Sequence, residues 1–263
     1  MTLPPIFTPE YYAHWRDFEA GHWWTAGMRD VASMLFSLAE LPERGVLLDV
    51  GCGSGQGMHW FAAAHPAWRT IGIDLGHAGL LAAQQAGLPM LIHGTATDLP
   101  IPTDSVDAIT TLDVLQHLPL DGGDERALAE MYRVLRPGGC LYVRTNAQAF
   151  PHVPDDPDAV WHKYEPAELA VKLRRAGFSI IRLSRVNALL GLAEIPGALR
   201  RDRQRHTSYE VVHRTVPRQH PLAGALKRAW LRSEGRAIRA GVKLPTGRSL
   251  VALCRASKAE GVL

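Results

Sequence analysis

The stretch GVLLDVGCGSGQG, residues 45–57, decides the fold of this 263-residue chain. Its first six residues form a short apolar, β-rich run that stops at a cluster of glycines, as a buried parallel strand does. Glycines permit a sharp turn and let a ligand approach main-chain N–H groups. A helix that starts after such a turn favours a negative group at its N-terminus. The stretch therefore predicts a strand–loop–helix unit that holds an anionic group.

The glycine spacing separates this loop from two other nucleotide-binding loops. It reads G-x-G-x-G with Gln56 in the sixth place, which differs from the G-x-G-x-x-G of dinucleotide-binding folds and from the G-x-x-x-x-G-K of P-loops. An NAD-linked oxidoreductase is therefore disfavoured.

Strands and helices alternate along the rest of the chain. Strands are predicted at 45–50, 70–74, 90–93, 106–112, 140–144, 179–183 and 249–254, and helices up to Pro42 and at 57–65, 77–87, 127–135 and 166–176. Such alternation implies βαβ crossovers and a sheet with helices on both faces. We expect an α/β fold with a doubly wound, mostly parallel seven-stranded sheet that binds ligands beyond the carboxyl ends of its strands.

About sixty residues before the last strand do not continue this rhythm. We therefore divide the chain into an N-terminal helical entrance or lid segment (1–44), an α/β core that binds the cofactor (45–187), a basic helical insertion that caps the substrate side (188–246), and the final strand with its tail (247–263).

Composition is that of an ordinary folded protein, with 46% apolar and 21% charged residues. No apolar run approaches the roughly 20 residues that span a bilayer, and the N-terminus has no basic-then-apolar leader. We expect a cytoplasmic protein without a membrane span. Three distant cysteines, Cys52, Cys140 and Cys254, predict reduced thiols, and no His/carboxylate spacing indicates a metal site.

Positive charge is concentrated near the C-terminus. Residues 200–243 hold twelve Lys/Arg against three acids, a local charge of +9 in a chain whose net charge is +3. Leu222, Leu226 and Trp230 recur there at four-residue spacing, which predicts one apolar helix stripe among charges. A solvated helical surface is the favoured interpretation. An acidic partner (a phosphorylated small molecule, a carrier protein, nucleic acid or anionic lipid) is the alternative.

Asp74 ends the second predicted strand, twenty-three residues after Gly51. An acid at this place can accept both hydroxyls of a ribose, which favours an adenosine-type ligand. The alternative is that Asp74 caps the helix that follows.

Four segments now carry a family resemblance. LLDVGCGSGQG, IGIDLG, GTATDLPIPTDSVDAITTLDVLQHLP and ALAEMYRVLRPGGCLYV resemble, in order, the motifs of class I S-adenosylmethionine-dependent methyltransferases, and WHKYEPAELAVKLRRAGF resembles the family's entry to its sixth strand. The resemblance implies the Rossmann-like methyltransferase fold, S-adenosylmethionine as cofactor and S-adenosylhomocysteine as product.

The resemblance also implies roles for individual residues. The residues near the methionine part of the cofactor would be Asp49, Gly51, Cys52 and Gly53. Arg29 could form an ion pair with the carboxylate of the cofactor, or it could pair only with an acid on the protein surface.

Beyond the methionine part, Asp74 would hold the ribose, with Leu75 beside it among the cofactor-binding residues. Asp98 would accept from the adenine amine, and the Leu99 N–H would donate to the ring. Leu112 would lie along the methionine chain.

A weaker resemblance concerns the flanks. HWW at residues 22–24 with Arg29, and KLPTGRSL at 243–250, are similar to a bacterial subgroup of presumed small-molecule enzymes. Gln116 stands where many relatives have Glu, and Thr246 where an aromatic residue is common. These departures leave the acceptor open.

Methyl transfer to a hydroxyl or ammonium acceptor requires a base, and His is the side chain best suited to this at neutral pH. His117, just past the fourth strand, is the favoured candidate, and a loop histidine that caps local backbone is the alternative. The N-terminal segment and the loop after the fifth strand should border the mouth of the site. The candidates for substrate binding there are Tyr11, His22, Trp24 and His152.

The sequence thus predicts a methyltransferase that acts at O, N or C of a small molecule, either a secondary metabolite or a cell-surface precursor. The alternatives are an RNA methyltransferase that uses the basic insertion and a protein that binds the cofactor without turnover. Nucleic acid is the less favoured partner, an acidic carrier protein is a further candidate, and a monomer or homodimer is expected.

Overall fold

A computed structural model describes residues 8, 12, 21–119, 121–148, 162–188 and 221–258. In chain order its elements are helix α1 (Trp23–Phe36), strand β1 (Val46–Val50), α2 (Gln56–Ala64), β2 (Arg69–Asp74), α3 (His77–Gln85), β3 (Leu91–His93), β4 (Val106–Leu112), a 3-10 turn (Leu115–His117), α4 (Gly123–Val134), β5 (Leu135–Asn146), α5 (Pro166–Arg175), β6 (Phe178–Val186), α6 (Pro221–Arg239) and β7 (Ser249–Ala256).

The strands form one seven-stranded sheet in the order β3-β2-β1-β4-β5-β7-β6. Strand β1 pairs in parallel with β2 and β4, whereas β7 runs antiparallel between β5 and β6. The predicted doubly wound, mostly parallel sheet is therefore confirmed. Its order reverses between β1 and β4, which leaves a crevice at their carboxyl ends, the usual ligand position in such sheets.

Strand β1 is buried along its whole length because both faces of the sheet are covered. Leu47 belongs to the apolar cluster that contains Val31 and Leu35 of α1, and the next residue, Leu48, belongs to the cluster on the other face that contains Leu128 of α4. Successive side chains of a strand point to opposite faces. A continuous apolar run is therefore what this position requires.

One predicted boundary is wrong. We expected the segment Pro137–Gly139 to separate a helix from a strand that begins at Cys140, but β5 begins at Leu135. Leu135 already pairs with Val106 of β4, and the register then shifts before Ala108 pairs with Cys140. The glycines therefore lie within an irregular start of the strand, not before it.

Helix α6 packs against α1 at positions without a large side chain. A Cβ atom at Gly27 of α1 would lie 2.6 Å from Leu231 Cδ1, and one at Gly235 of α6 would lie 3.1 Å from Val31 Cγ2. The helices approach closely because these two residues are glycines.

Residues 189–220 of the predicted insertion lie outside the described residues, so its role as a substrate cap stays a prediction. Among the helices described, none combines the length and apolar character needed to cross a bilayer.

Candidate active site

A cavity of about 390 Å³ opens at the carboxyl ends of β1, β2 and β4. This volume lies in the range of about 300–1,000 Å³ that is usual for small-molecule sites. Its walls come from the loops that follow these strands, from α1 and from the ends of β5 and β7. The lining residues are Tyr12, Trp24, Asp49, Gly51, Cys52, Gly53, Ser54, Gln56, Gly57, Ile73, Asp74, Leu75, Gly94, Thr95, Ala96, Leu112, Asp113, Val114, Gln116, His117, Leu118, Arg144, Asn146 and Ser249.

The glycine loop forms the floor of the cavity and is fastened to β2. The N–H groups of Gly51 and Cys52 donate to Ile73 O at 2.8 and 3.1 Å. Gly51 has φ +76°, and a Cβ atom there would lie 2.2 Å from Val114 Cγ2, so this turn requires glycine. Ser54 Oγ is buried and has no hydrogen-bond partner among the described residues. It can therefore form a hydrogen bond with a polar group of a ligand without breaking a hydrogen bond within the protein.

The carboxylate of Asp74 joins this loop to the start of α3. Oδ2 accepts from Gly53 N at 2.7 Å, and Oδ1 accepts from Gly76 N at 2.6 Å and from the Tyr12 hydroxyl at 3.4 Å. Burial raises the pKa of Asp74, and these three donors oppose the shift. Gly76 is the N-cap of α3. The carboxylate thus satisfies the helix start and also lines the cavity, so the two predicted roles are compatible.

Sequence reasoning missed Tyr12. Its buried ring lies over the glycine loop, 3.4 Å from where a Cβ atom at Gly53 would be and 2.7 Å from the corresponding position at Gly79. Tyr11 and His152, which we predicted at the mouth, lie outside the described residues. The aromatic character of the N-terminal segment was the available signal, but it could not distinguish two adjacent tyrosines.

Asp49 places a carboxyl group in the wall of the cavity near the β1–β4 crevice. Its Oδ1 accepts from Thr110 Oγ1 at 2.6 Å. Burial raises its pKa to about 6, the Asp74 charge adds to this, and Thr110 and Arg144 oppose it. Asp49 is only 2% exposed. A ligand cation next to it would relieve the cost of its buried charge.

The positions of Asp98 and Leu99 do not support the adenine-binding prediction. Asp98 is exposed and absent from the cavity wall. Leu99 is buried in the apolar core, and its N–H donates to Glu130 Oε2 of α4 at 2.8 Å, so it has no N–H to offer a ligand. The residues directly after β3 that do line the cavity are Gly94, Thr95 and Ala96. Thr95 and Asp98 face each other across a turn, which separates the residues that line the cavity from Asp98 and Leu99.

The other end of the cavity is polar and rigid. The Arg144 Nε and Nη2 atoms donate to Asp113 Oδ2 at 2.9 and 2.6 Å, and the guanidinium carbon lies 4.9 Å from the centre of the Trp24 ring. The Asp113 N–H in turn donates to Arg144 O at 2.8 Å. Trp24 therefore forms part of the wall, and an ion pair lies behind it. Its predicted contact with substrate stays a prediction.

His117 is at the opening of the same end, one residue after Gln116. Gln116 Oε1 accepts from Asn146 N at 2.8 Å and from Thr145 Oγ1 at 3.2 Å, while its Nε2 lies 3.4 Å from His117 Nε2. The Gln116 amide donates in this arrangement, so the ring nitrogen accepts and the imidazole is neutral. Loss of hydration lowers the pKa of His117, and the Asp113 charge opposes this.

His22 and Arg29 take positions outside the main cavity. His22 Nδ1 accepts from Trp24 N at 3.3 Å, which caps the start of α1, so the predicted contact of His22 with substrate is not supported. Burial and the Lys227 charge lower the pKa of His22. Arg29 lines a separate space of about 20 Å³ that shares Leu112 with the main cavity. A contact between Arg29 and the cofactor carboxylate stays a prediction.

The cysteines carry no reactive thiolate in this structure. All three are buried and unpaired, and burial raises the pKa of Cys52, the one that lines the cavity. Within the described ranges no group of three His, Cys, Asp or Glu side chains could hold a metal ion.

Comparison with known proteins finds similarity to methyltransferases in the core of the chain. Residues 48–143 match the family described as "Methyltransferase domain". A Mycolicibacterium smegmatis protein described as "Probable S-adenosylmethionine-dependent methyltransferase" is 36% identical over 154 residues, 57% of this chain and 58% of that protein. Residues 48–143 therefore resemble the methyltransferase domain of class I S-adenosylmethionine-dependent methyltransferases. These matches support S-adenosylmethionine as the cofactor, and membership of the HWW-type subgroup stays a prediction.

Other relatives of this methyltransferase domain act on different acceptors. An Arabidopsis thaliana tRNA (carboxymethyluridine(34)-5-O)-methyltransferase is 31% identical over 106 residues, 40% of this chain and 25% of that protein. A Mycobacterium leprae phthiotriol/phenolphthiotriol dimycocerosates methyltransferase is 39% identical over 102 residues, 36% of this chain and 35% of that protein. The chain thus spans less than two thirds of the length of each of these three curated relatives.

A solved structure has the same fold. Phosphoethanolamine N-methyltransferase 2 of Haemonchus contortus, in complex with S-adenosyl-L-methionine, aligns with a TM-score of 0.62 and 13% identity over 95% of this chain and 58% of that one. At this identity the likeness concerns the fold alone.

The residues of the cavity fit this cofactor. S-adenosylmethionine is cationic at its sulfonium and amino groups, and Asp49 is a buried carboxyl group that gains from a cation. The unpartnered Ser54 hydroxyl and the glycine turn leave polar atoms and space at the floor. Asp74 is an acid at the cavity wall with further lone pairs available.

Proposed function

We propose that this protein transfers a methyl group from S-adenosylmethionine to a small-molecule acceptor that lies beside His117. One observation carries the proposal: a single cavity joins the Gly53–Asp74 corner to a polar wall that includes Gln116, His117 and Asn146. Bound cofactor supplies an activated methyl group on a sulfonium, so proximity and alignment of the acceptor provide most of the required rate enhancement.

Cofactor binding is assigned to the floor and one side of the cavity. Asp74 would accept from the ribose hydroxyls, Asp49 would face the positive groups, and Ser54 would bind a polar atom of the methionine part. Thr95 and Ala96 would meet the adenine edge in place of Asp98 and Leu99, since both line the cavity. Gly51, Cys52, Gly53, Leu75 and Leu112 also line the cavity and retain their proposed contacts.

Acceptor activation is assigned to the other side. The neutral ring of His117 can take a proton from a hydroxyl or an ammonium, provided that the acceptor displaces the contact with Gln116. Trp24 and Leu112 present apolar surface at this end and would exclude water from the reacting centre. A carbon acceptor that is already nucleophilic would not need the base.

A small acceptor is favoured because the cavity has the size of a small-molecule site and because one relative bears the name of a phthiotriol dimycocerosates methyltransferase. An RNA acceptor is the second candidate, since the basic segment 200–243 could bind phosphates and another relative is named as a tRNA methyltransferase. We further propose a cytoplasmic protein that is a monomer or homodimer.

Two measurements test the function. Calorimetry with S-adenosylmethionine and S-adenosylhomocysteine should give saturable heat, which Asp74→Ala should reduce. Transfer of a labelled methyl group should then be measured across a panel of small hydroxyl, amine and carbon acceptors, with tRNA as a separate substrate. Binding without transfer to any acceptor would favour a protein that binds the cofactor without turnover. Transfer to tRNA alone would favour the RNA methyltransferase.

A further inference from the structure

Helix α6 presents an apolar stripe to solvent. Leu222, Leu226 and Trp230 are 69%, 73% and 46% exposed, and their four-residue spacing puts them on one side of the helix. The opposite side already packs on the protein, where Leu231 and Ile238 are buried. The helix therefore has two apolar sides, and only one of them is needed to hold it to the sheet. Exposed rows of large apolar residues are typical of binding surfaces.

The aromatic member of the stripe is held in one orientation. Trp230 Nε1 donates to Glu234 Oε1 at 2.5 Å, and Glu234 also accepts from Asn187 N at 2.6 Å and from Ala188 N at 3.0 Å. Glu234 is buried and anchors the end of β6 to α6. Because its N–H is already used within the protein, the exposed part of the Trp230 ring is apolar and needs no polar partner.

Helix α6 is rich in cations and has no exposed acid of its own. Five residues of α6 are basic, Lys227, Arg228, Arg232, Arg236 and Arg239, while its one acid is the buried Glu234. Asp30 of α1 offsets part of this charge, because Arg228 Nε lies 2.7 Å and Arg232 Nε lies 3.9 Å from its carboxylate. The net charge of the exposed helix surface remains positive. Its charge therefore complements an anionic surface.

We propose that α6 docks on an anionic lipid surface, with Leu222, Leu226 and Trp230 at the boundary between headgroups and acyl chains and the arginines at the lipid phosphates. A helix with Leu and Trp on one side and Lys or Arg around it has the composition of an interfacial helix. A lipid interface is fluid, so a row of apolar side chains on a convex helix can enter it without a complementary groove. Trp side chains are also enriched at such interfaces.

The docking surface adjoins the helix that borders the cavity. Lys227 Nζ lies 5.4 Å from the centre of the Trp23 ring, and the next residue, Trp24, lines the cavity. Docking would thus bring the α1 side of the cavity near the lipid. The lipid binding itself does not depend on methyl transfer and is tested without it.

Vesicle co-sedimentation tests the proposal with the whole 263-residue chain. Vesicles of phosphatidylcholine mixed with an equal part of phosphatidylglycerol should sediment the wild-type protein, whereas vesicles of phosphatidylcholine alone should sediment much less. Leu226→Glu should weaken binding to the anionic vesicles by about tenfold or more, because it removes apolar area and adds a negative charge. The matched control is Leu81→Glu on α3, a leucine that is 44% exposed, and it should bind as the wild type does.

A second measurement reports on insertion. Anionic vesicles with brominated acyl chains should quench the fluorescence of the wild type more than that of Trp230→Phe, which keeps an apolar ring and should still bind. Both variants change exposed side chains, and circular dichroism verifies their fold.

Three outcomes would overturn the proposal. One is failure of the wild type to bind anionic vesicles, and another is equal binding by wild type and Leu226→Glu, which would indicate charge attraction alone. The third is a wild-type dimer in light scattering that Leu226→Glu converts to a monomer, without vesicle binding. The stripe would then be an interface between copies of this chain.

Discussion

The N–H of Gly53 donates to Asp74 Oδ2 at 2.7 Å and so joins the glycine loop to the acid that ends β2. Because β1 and β2 are adjacent and parallel, their carboxyl ends bring the two motifs together at one edge of the sheet. Asp74 therefore shapes the loop and also forms part of the cavity wall. A ligand that binds Asp74 meets a loop already held in place.

This double role predicts the effect of Asp74→Ala. The N–H groups of Gly53 and Gly76 lose their acceptor, so the free energy of unfolding should fall by about 1–3 kcal/mol. In addition, loss of the ribose contact should weaken the binding of S-adenosylhomocysteine by roughly tenfold to a hundredfold. Thermal unfolding and calorimetry measure the two effects. An unchanged affinity in a folded variant would refute the contact with the ribose.

The proposed adenine side of the cavity gives a matched pair of variants. Thr95 lines the cavity, while Asp98 is exposed and outside it. Thr95→Val removes the hydroxyl and nearly keeps the volume, so we expect about a fivefold to tenfold loss of affinity for S-adenosylhomocysteine, as for one hydrogen bond. Asp98→Ala should leave affinity unchanged. If calorimetry instead shows weaker binding by Asp98→Ala and unchanged binding by Thr95→Val, the adenine contact would be assigned to Asp98.

Local patterns predicted the sheet and the glycine loop because a buried strand and a positive-φ turn each impose their own residue types. They could not predict which residues after β3 face the ligand, since Glu130 of α4 takes the Leu99 N–H from 31 positions away. The same limit applies to Tyr12, whose ring is placed by Gly79 on α3. Periodicity likewise predicted the stripe with Leu226 but not that it faces solvent.

Asp49 predicts a stability profile that depends on pH. Its folded pKa of about 6 is raised above the ordinary 3.8, so folding favours the protonated form. The stabilisation from this group is complete below about pH 4 and is lost as pH rises through 6, a change of about 3 kcal/mol. Asp49→Asn keeps an acceptor for Thr110 and should remove this dependence. Denaturation of both proteins from pH 4 to 8 tests this, and parallel curves would contradict it.

The same group couples cofactor binding to protons. A cation beside Asp49 lowers its pKa, so S-adenosylmethionine should release a proton on binding between about pH 5 and 7. The uncharged sulfur of S-adenosylhomocysteine should release less. Calorimetry in two buffers of different ionisation enthalpy measures the protons released, and Asp49→Asn is the control. Equal release by the variant would assign the proton to another group.

Gly51 predicts a local steric cost. Gly51→Ala adds a Cβ that meets Val114 Cγ2 at 2.2 Å, in a backbone with φ +76°. Gly87→Ala is the control, because Gly87 has φ +86° but no atom within 4 Å of the added Cβ. Both variants should lose about 1–2 kcal/mol from the left-handed backbone, and Gly51→Ala about 1–3 kcal/mol more from overpacking. Equal losses in urea denaturation would show that Val114 moves aside freely.

His117 predicts the pH dependence of turnover. Its pKa is lowered from 6.5, so the base is already deprotonated at neutral pH, and kcat/KM should rise from acid and level off below pH 7. His117→Gln should lower kcat by about 10²- to 10⁴-fold for an acceptor that must lose a proton.

Gln116→Glu keeps the base but sets a carboxylate beside the ring, which favours the imidazolium. The acid limb should then move to higher pH, with little change at the plateau. Full turnover by His117→Gln at every pH would exclude His117 as the base, and an acid limb that Gln116→Glu does not move would assign that limb to another group.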